Sequence, residues 1–235
     1  MTGARGMSKH IGIVACSAEG AALCYRTICA EAPHVMGEDR HPEITMHNHC
    51  LGEYMEFIRP GDWEEVARLM LSSARKLAAT GADFAVCPDN TIHEALPMVE
   101  PESPIPWLHI ARVVGREARR QGVECLGVLG TRYIMTGPVY PEACAELGIG
   151  TVAPDEADRE RIDDIIFDEL VKGVFREESR LYFNGVMERL KEQGADGAVL
   201  GCTEIPLLVD PEDAPLPTLD STRLLARAAV RHAVE

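Results

Sequence analysis

The sequence predicts an α/β protein made of two similar domains, each built on a doubly wound parallel sheet. Long amphipathic segments with a helical period alternate with short apolar runs along the whole chain. In addition, the pattern of the first half returns in the second half. Alternating strands and helices are typical of parallel sheets whose crossover helices cover both faces, so we expect this class of fold.

The first half of the chain supplies the first set of elements. An apolar run over residues 10–17, HIGIVACS, predicts a buried strand that ends in a turn of small residues. A later strand, ADFAVCP, delivers the tetrapeptide that begins with Asp89 to its carboxyl end, and a helix is expected from about His93. Further predicted elements are a helix over 18–31, a strand over 43–49 and a long amphipathic helix over 62–79.

The second half repeats the alternation after the segment PIPWLHI. The run ECLGVLGT, residues 124–131, predicts a new opening strand. The remaining predicted elements are helices over about 111–121, 155–172, 177–193 and 221–234, a short strand near 149–153, and a strand over 197–202.

The two halves resemble each other in detail. IGIVACSAEG is similar to LGVLGTRYIM, and AVCPDNTIHE is similar to AVLGCTEIPL. Gly12 and Asp89 are 77 positions apart, and Gly127 and Cys202 are 75 positions apart. We therefore predict a duplicated fold, with one domain over 8–110 joined by 215–235 and the other over 111–214. Ligands of such sheets bind at the carboxyl ends of the strands.

Charge and hydropathy exclude several partners. The formal net charge is −15, whereas nucleic acids and anionic membranes are bound through clustered Lys and Arg. No stretch approaches the roughly 18 apolar residues of a membrane span. The opening segment MTGARGMSKH lacks the apolar core of a secretory signal. The sequence thus favours a cytoplasmic protein that binds neither nucleic acid nor membrane.

The cysteines and histidines predict no metal site. The eight cysteines lie in strand-like or helical runs without a CxxC pair, which favours reduced core thiols. His47 and His49 share one strand face, but no third ligand stands at a fitting spacing.

Two segments carry a resemblance to a known family. GAVLGCTEIPLLV, residues 197–209, resembles the second signature of the aspartate/glutamate racemase superfamily, and PDNTIH, residues 88–93, resembles an altered first signature. IGIVACS and VLGTRYIMTGPVY are similar to the starts of the family's two halves. The resemblance implies a homodimer of two-domain subunits with the active site in the cleft between the domains. There, two cysteines exchange a proton at the substrate α-carbon without pyridoxal phosphate, other cofactor or metal.

The sequence departs from that pattern at the first catalytic position. Asp89 stands where the family has the first cysteine, while Cys202 occupies the second position. Cys87 lies two residues before Asp89, hence on the same strand face but about 6.6 Å further back. Its two alternative roles are a substitute for the missing thiol and a buried core thiol. The reference pKa of Asp is roughly 4.6 units below that of Cys, so Asp89 begins as a much weaker base. Burial can raise the pKa of a carboxyl by several units.

Three functions remain open from the sequence. In the first, Asp89 and Cys202 act on opposite faces of the α-carbon of aspartate, glutamate or a related small carboxylate, and the enzyme is an isomerase. In the second, Cys202 alone acts at carbon in a lyase or decarboxylase, and Asp89 binds the substrate or protonates a leaving group. In the third, the chain is a binding homologue without activity.

Several polar residues match the family's substrate-binding positions. Ser17, Asn90, Thr91 and Thr203 offer hydroxyl or amide donors at strand-to-helix turns, where helix capping is the alternative role. Glu204 either tunes the thiol or complements a helix dipole.

The family's cationic residues for a second substrate carboxylate have only loose matches in this sequence. Arg40 and Lys172 lie near the places where aspartate-specific relatives keep a cationic pair, and Arg132 is a further candidate. Solvated surface is the alternative for all three. Tyr140 is expected in the core or at a hinge.

Overall fold

The computed structural model describes residues 8–235, which form two compact units. The first unit contains residues 8–88, 95–109 and 225–235, and the second contains residues 89–94 and 110–224. Residues 1–7, which carry most of the opening segment that lacks a signal pattern, lie outside the described part. In the described part, no helix has both the length and the apolar character that crossing a membrane requires.

The first unit is built on a four-stranded parallel sheet with the strand order β2-β1-β3-β4. Its strands are β1 (Ile11–Ala15), β2 (Ile44–Asn48), β3 (Phe84–Val86) and β4 (Trp107–Leu108). The helices along this part of the chain are α1 (Ala18–Glu31), α2 (Pro33–Met36), α3 (Leu51–Ile58), α4 (Trp63–Ala79) and α5 (Leu96–Val99), with 3-10 turns at Thr91–Ala95 and Glu100–Glu102.

The central strand β1 organises the first unit. All five of its residues are buried, and both α1 and α4 pack against it. Side-chain caps fix where these helices begin. The Ser17 hydroxyl accepts a hydrogen bond from the Gly20 amide at 3.2 Å, and the Asp62 carboxylate accepts one from the Glu65 amide at 3.2 Å. Such caps satisfy amides that have no partner inside the helix.

The second unit repeats this arrangement with the strand order β6-β5-β7-β8, again all parallel. Its strands are β5 (Cys125–Leu129), β6 (Gly150–Val152), β7 (Gly197–Leu200) and β8 (Thr218–Asp220). The helices along this part of the chain are α6 (Ile110–Gln121), α7 (Arg132–Thr136), α8 (Val139–Ala145), α9 (Glu156–Asp168), α10 (Glu177–Glu192), α11 (Ile205–Leu208) and α12 (Ser221–Val234), with a 3-10 turn at Leu170–Lys172. Residues 225–234 of α12 belong to the first unit.

The strands of the second unit bury side chains on both faces of the sheet. On one face, Ala198 and Leu200 of β7 join a core with residues of α9 and α10. On the other face, Val199 joins a core with residues of α6 and α8. Because successive side chains of a strand point to opposite faces, an uninterrupted apolar strand requires helices on both sides. The predicted class, two parallel-sheet α/β units of the same topology, is confirmed.

Glycines allow β5 and β7 to come very close together at their carboxyl ends. The Gly201 amide donates a hydrogen bond to the Leu129 carbonyl at 2.7 Å. A Cβ atom at Gly201 would lie 2.9 Å from that carbonyl oxygen, and one at Gly130 would lie 3.2 Å from the Gly201 carbonyl oxygen. Any side chain at Gly201 would therefore push against backbone atoms.

We expect Gly201→Ala to lower the free energy of unfolding by about 1–3 kcal/mol, since overpacking a tight site forces the backbone to shift. Gly185→Ala is the matched control. Gly185 lies inside α10, where an added Cβ meets only the end of the Arg189 side chain at 3.5 Å. Because Ala favours a helix over Gly by up to about 1 kcal/mol, this change should stabilise the protein. Urea denaturation measures both, and equal effects would contradict the prediction.

A buried carboxylate joins α9 to α10. Asp158 accepts hydrogen bonds from Nε and Nη2 of Arg189 at 2.8 and 2.6 Å, and from the Tyr182 hydroxyl at 2.7 Å. The hydrogen bond from Arg189, with the one from Tyr182, lowers the pKa of Asp158 despite its burial. A carboxyl with a depressed folded-state pKa stabilises the fold above its unfolded pKa and loses that contribution as the pH falls.

We expect Asp158→Asn to reduce stability at pH 7 by about 1.5–3 kcal/mol, the range for hydrogen bonds to charged groups. The difference from wild type should shrink as the pH falls below about 4, where the unfolded carboxyl becomes protonated. Asp168→Asn is the control, because Asp168 pairs with Lys172 on the exposed surface and such pairs contribute at most about 1 kcal/mol. A difference that is independent of pH would contradict the proposed charge contribution of Asp158.

Candidate functional site

Cys202 lies immediately beyond the central strand β7. The strand ends at Leu200, Gly201 follows with its close backbone contact, and the chain then turns into α11. Cys202 is partly buried and packs against the core between the sheet, α9 and α10. It therefore stands at the carboxyl end of the sheet, where parallel α/β proteins place their ligands.

The carboxylate of Glu204 lies next to the thiol. The Cys202 Sγ donates a hydrogen bond to Glu204 Oε2 at 3.0 Å, and the Thr203 hydroxyl donates to the same oxygen at 2.7 Å. Both Thr203 and Glu204 are buried. Of the two roles expected for Glu204, the contact with the thiol is present in the structure.

This environment keeps the thiol of Cys202 protonated. Burial raises its pKa well above the usual value, and the charges of Glu204 and, more weakly, Asp89 raise it further. The backbone N–H of Glu204 acts in the opposite direction as a hydrogen-bond donor. At neutral pH the group is thus a thiol, which can donate a proton.

The tetrapeptide that follows β3 belongs to the second unit together with Cys202. Asp89 is partly buried, and its charge acts on the thiol of Cys202. Asn90 is buried, and its side-chain amide contacts Tyr140 and Ser221. The second unit therefore holds both the carboxylate and the thiol, and the charge of Asp89 contributes to the raised pKa of Cys202.

Two threonines of the second unit lie close together. The Thr91 hydroxyl lies 3.5 Å from that of Thr131, which stands two residues after the end of β5. Sequence reasoning did not select Thr131. In the internal repeat, Thr131 aligns with Cys16, which directly precedes the predicted binding residue Ser17.

The remaining predicted binding residues are distributed over both units. Ser17 caps α1 and Arg40 is exposed in the loop before β2, both in the first unit. Lys172 is exposed in the second unit and forms an ion pair with Asp168 at 3.0 Å. Cys87 is fully buried, as expected of a core thiol.

The paired histidines of β2 contact α4. His47 lies 3.0 Å from the Ser73 hydroxyl and 2.9 Å from the Lys76 ammonium, and His49 lies 3.2 Å from the Ser72 hydroxyl. Over residues 8–235, no three His, Cys, Asp or Glu side chains are grouped so that they could hold a metal ion.

The family of the chain follows from its sequence profile. The profile described as Asp/Glu/Hydantoin racemase matches residues 11–229. The chain belongs to the Asp/Glu/hydantoin racemase family. The matched range includes both the segment with Cys202 and the segment with Asp89.

Several known proteins resemble this family member over most of its length. A crystal structure of a Yersinia pestis protein assigned as an Asp/Glu racemase is 33% identical, with 97% of this chain and 100% of that chain covered and a TM-score of 0.90. An aspartate racemase homologue from Pyrococcus horikoshii OT3 is 26% identical, with the same coverage and a TM-score of 0.85. The broad specificity amino-acid racemase RacX of Bacillus subtilis is 24% identical over 175 residues, covering 73% of this chain and 74% of RacX.

We expect Glu204→Gln to lower the pKa of Cys202, because the substitution removes a negative charge next to the thiol. Alkylation by iodoacetamide proceeds through the thiolate, so the pH midpoint of Cys202 modification, followed by peptide mass spectrometry, should move to lower pH. Glu212→Gln changes an exposed carboxylate of the same unit and serves as the control. An unchanged or higher midpoint in Glu204→Gln would show that Glu204 does not govern the thiol.

Proposed function

We propose that this protein is an amino-acid racemase in which Asp89 and Cys202 transfer protons on opposite faces of the substrate α-carbon. The observation that supports the proposal most directly is that one unit holds both groups, at strand-end positions that resemble those of the family's catalytic pair, and that the charge of Asp89 acts on the thiol. Inversion requires two acid/base groups, and the chain supplies one carboxylate and one thiol for this purpose.

The first half-reaction uses the protonation state that is stable at rest. The Asp89 carboxylate removes the α-proton of one enantiomer, and the electron pair of the broken C–H bond remains on the carbon. The Cys202 thiol then gives its proton to the opposite face, which yields the other enantiomer, a thiolate and a protonated Asp89. Reaction of that other enantiomer runs through the same steps in reverse.

The high pKa of Cys202 has a chemical benefit in the reverse direction. A thiolate formed next to Glu204 is a strong base, because protonation relieves the repulsion between the two negative charges. It can therefore remove an α-proton that a thiolate of ordinary pKa would remove more slowly. Glu204 remains in contact with the sulfur throughout and accepts a hydrogen bond whenever the thiol is protonated.

The proposed substrates are aspartate, glutamate or related small amino acids, used without pyridoxal phosphate or a metal. Two carboxylates beside Cys202 favour a ligand that carries an ammonium group. Thr91 and the backbone N–H of Thr203, both in the second unit, are proposed to bind the α-carboxylate, since the Thr203 hydroxyl is directed to Glu204. Ser17 stays a prediction for a binding residue. Arg40 and Lys172 stay predictions for a second carboxylate, and the homodimer and cytoplasmic location likewise stay predictions.

A one-base lyase or decarboxylase is the second candidate function. One observation favours it: the thiol of Cys202 is protonated at rest, which is the state required to protonate a carbanion after a substrate group leaves. Asp89 would then bind the substrate and take no proton from carbon. Such an enzyme changes the mass of its substrate, whereas a racemase does not.

The test is proton NMR in deuterated water with each enantiomer of aspartate, glutamate and a panel of other amino acids and substituted malonates. Wild type should exchange the α-proton with inversion, and the rate should survive EDTA and hydroxylamine, which remove metals and pyridoxal phosphate. Asp89→Asn and Cys202→Ser should each reduce inversion by about 10²–10⁴-fold, the usual contribution of an acid/base group.

The two variants should also differ in which enantiomer they still exchange. Asp89→Asn should exchange only the enantiomer whose α-proton faces Cys202, and Cys202→Ser only the other one. Loss of carbon dioxide or another group would establish the lyase. Inversion at the wild-type rate in either variant would show that the catalytic pair is assigned wrongly.

A further inference from the structure

A buried chain of hydrogen bonds connects the Asp89 segment to the end of β7. The Tyr140 hydroxyl donates to Asn90 Oδ1 at 2.6 Å, and Asn90 Nδ2 donates to the Ser221 hydroxyl at 3.0 Å. Ser221 in turn donates to the carbonyl oxygen of Leu200 at 3.0 Å. Tyr140 and Ser221 are fully buried and Asn90 is 4% exposed.

Two members of this hydrogen-bond chain are close in sequence to the two proposed catalytic groups. Asn90 directly follows Asp89, and Leu200 lies two residues before Cys202. The Tyr140 ring also lies against the turn, with its Cε2 3.7 Å from the place of a Cβ at Gly201. All of these residues belong to the second unit.

These hydrogen bonds fix the orientation of the Asn90 side-chain amide through both its oxygen and its nitrogen. Its oxygen accepts from a hydroxyl and its nitrogen donates to another, so a rotation of the amide would lose both hydrogen bonds. Burial raises the pKa of Tyr140 and keeps its hydroxyl protonated as a donor. A buried polar group that loses its partner costs about 1–3 kcal/mol, so the amide has a strong preference for this single position.

We propose that Tyr140 and Ser221 are positioning residues, which hold Asp89 at its working distance from Cys202 through the amide of Asn90. In this proposal both residues act through Asn90 and not on the reacting atoms. This proposal rests on the proposed function, because it assigns the network the task of aligning the Asp89–Cys202 pair. Misplacement of a catalytic group by about 1 Å can reduce a rate by about 100-fold.

The first experiment needs no substrate and uses the full-length protein. The pH midpoint of Cys202 alkylation is measured by peptide mass spectrometry in wild type, Asp89→Asn, Tyr140→Phe and the double variant. Asp89→Asn should move the midpoint to lower pH, because a negative charge near the thiol is removed. Tyr140→Phe should also move the midpoint to lower pH, because Asp89 is then no longer held near the thiol. For the same reason, Asp89→Asn should shift the midpoint less in the Tyr140→Phe background than in wild type.

Such non-additivity is what distinguishes positioning from a general loss of stability, since independent sites give additive changes. Tyr182→Phe is the matched control. It removes another tyrosine hydroxyl that donates a 2.7 Å hydrogen bond in the same unit, to Asp158, and should leave the midpoint unchanged. Ser221→Ala provides a second variant if Tyr140→Phe does not fold, and Thr222→Val is its control, because the buried Thr222 hydroxyl has no hydrogen-bond partner among the described residues.

The second experiment follows α-proton exchange in deuterated water for each enantiomer of a substrate that wild type inverts. Tyr140→Phe should reduce exchange of the enantiomer that faces Asp89 by about 10–100-fold and retain exchange of the one that faces Cys202. Additive shifts of the alkylation midpoint in the double variant, or an equal loss of α-proton exchange for both enantiomers, would overturn the positioning role. The proposed function would stand in either case. An Asp89→Asn variant with an unchanged midpoint and undiminished inversion would overturn both proposals.

Discussion

The second unit depends on the close backbone contact between the carboxyl ends of β5 and β7. The hydrogen bond from Gly201 to Leu129 extends the parallel pairing by one residue beyond β7. The two backbones are so close there that a Cβ atom at Gly201 does not fit. Because β7 is paired with β8 on its other side, its end has little freedom to move. Cys202, Thr203 and Glu204 follow at once, so the position of the thiol is set by sheet geometry and not by a long loop.

The charges near this turn determine which proton state the thiol adopts. Burial raises the pKa of the Cys202 thiol most, and the negative charges of Glu204 and, more weakly, Asp89 raise it further. A carboxylate and a thiol of this kind form an asymmetric pair, in which the proton rests on sulfur. A pair of two thiols, as the family resemblance describes, would have more equal proton affinities. In the proposed reaction, the aspartate therefore gives the two faces of the substrate groups of unequal proton affinity.

Much of the fold could be predicted from the sequence because strong local signals agree with the packing. The expected helices over 18–31 and 221–234 match α1 and α12 at both ends, and the long helix from Asp62 begins after that residue, which caps it. The helix expected from His93 is a short 3-10 turn followed by α5, where Pro97 stands near the start. Strand β8 was missed, because three residues after a proline-rich loop carry no periodic pattern.

The candidate site, like the fold, could be predicted only in part from the sequence. The adjacency of Cys202 and Glu204 is visible in the sequence, and so is the position of Asp89 after a strand. The partners of Asn90 could not be predicted, because Tyr140 and Ser221 lie 50 and 131 residues away along the chain. One clue was available: a tyrosine in an apolar segment is expected to find a partner for its hydroxyl, although the sequence does not identify that partner.

The protonated state of Cys202 also affects how the protein withstands oxidants. Peroxides attack the thiolate, and the resulting sulfenic acid can proceed to irreversible products. Since the second unit holds Cys202 as a thiol, only a small fraction of molecules carries Cys202 as a thiolate at neutral pH. The environment that keeps this sulfur protonated therefore also protects the cysteine on which the proposed reaction depends.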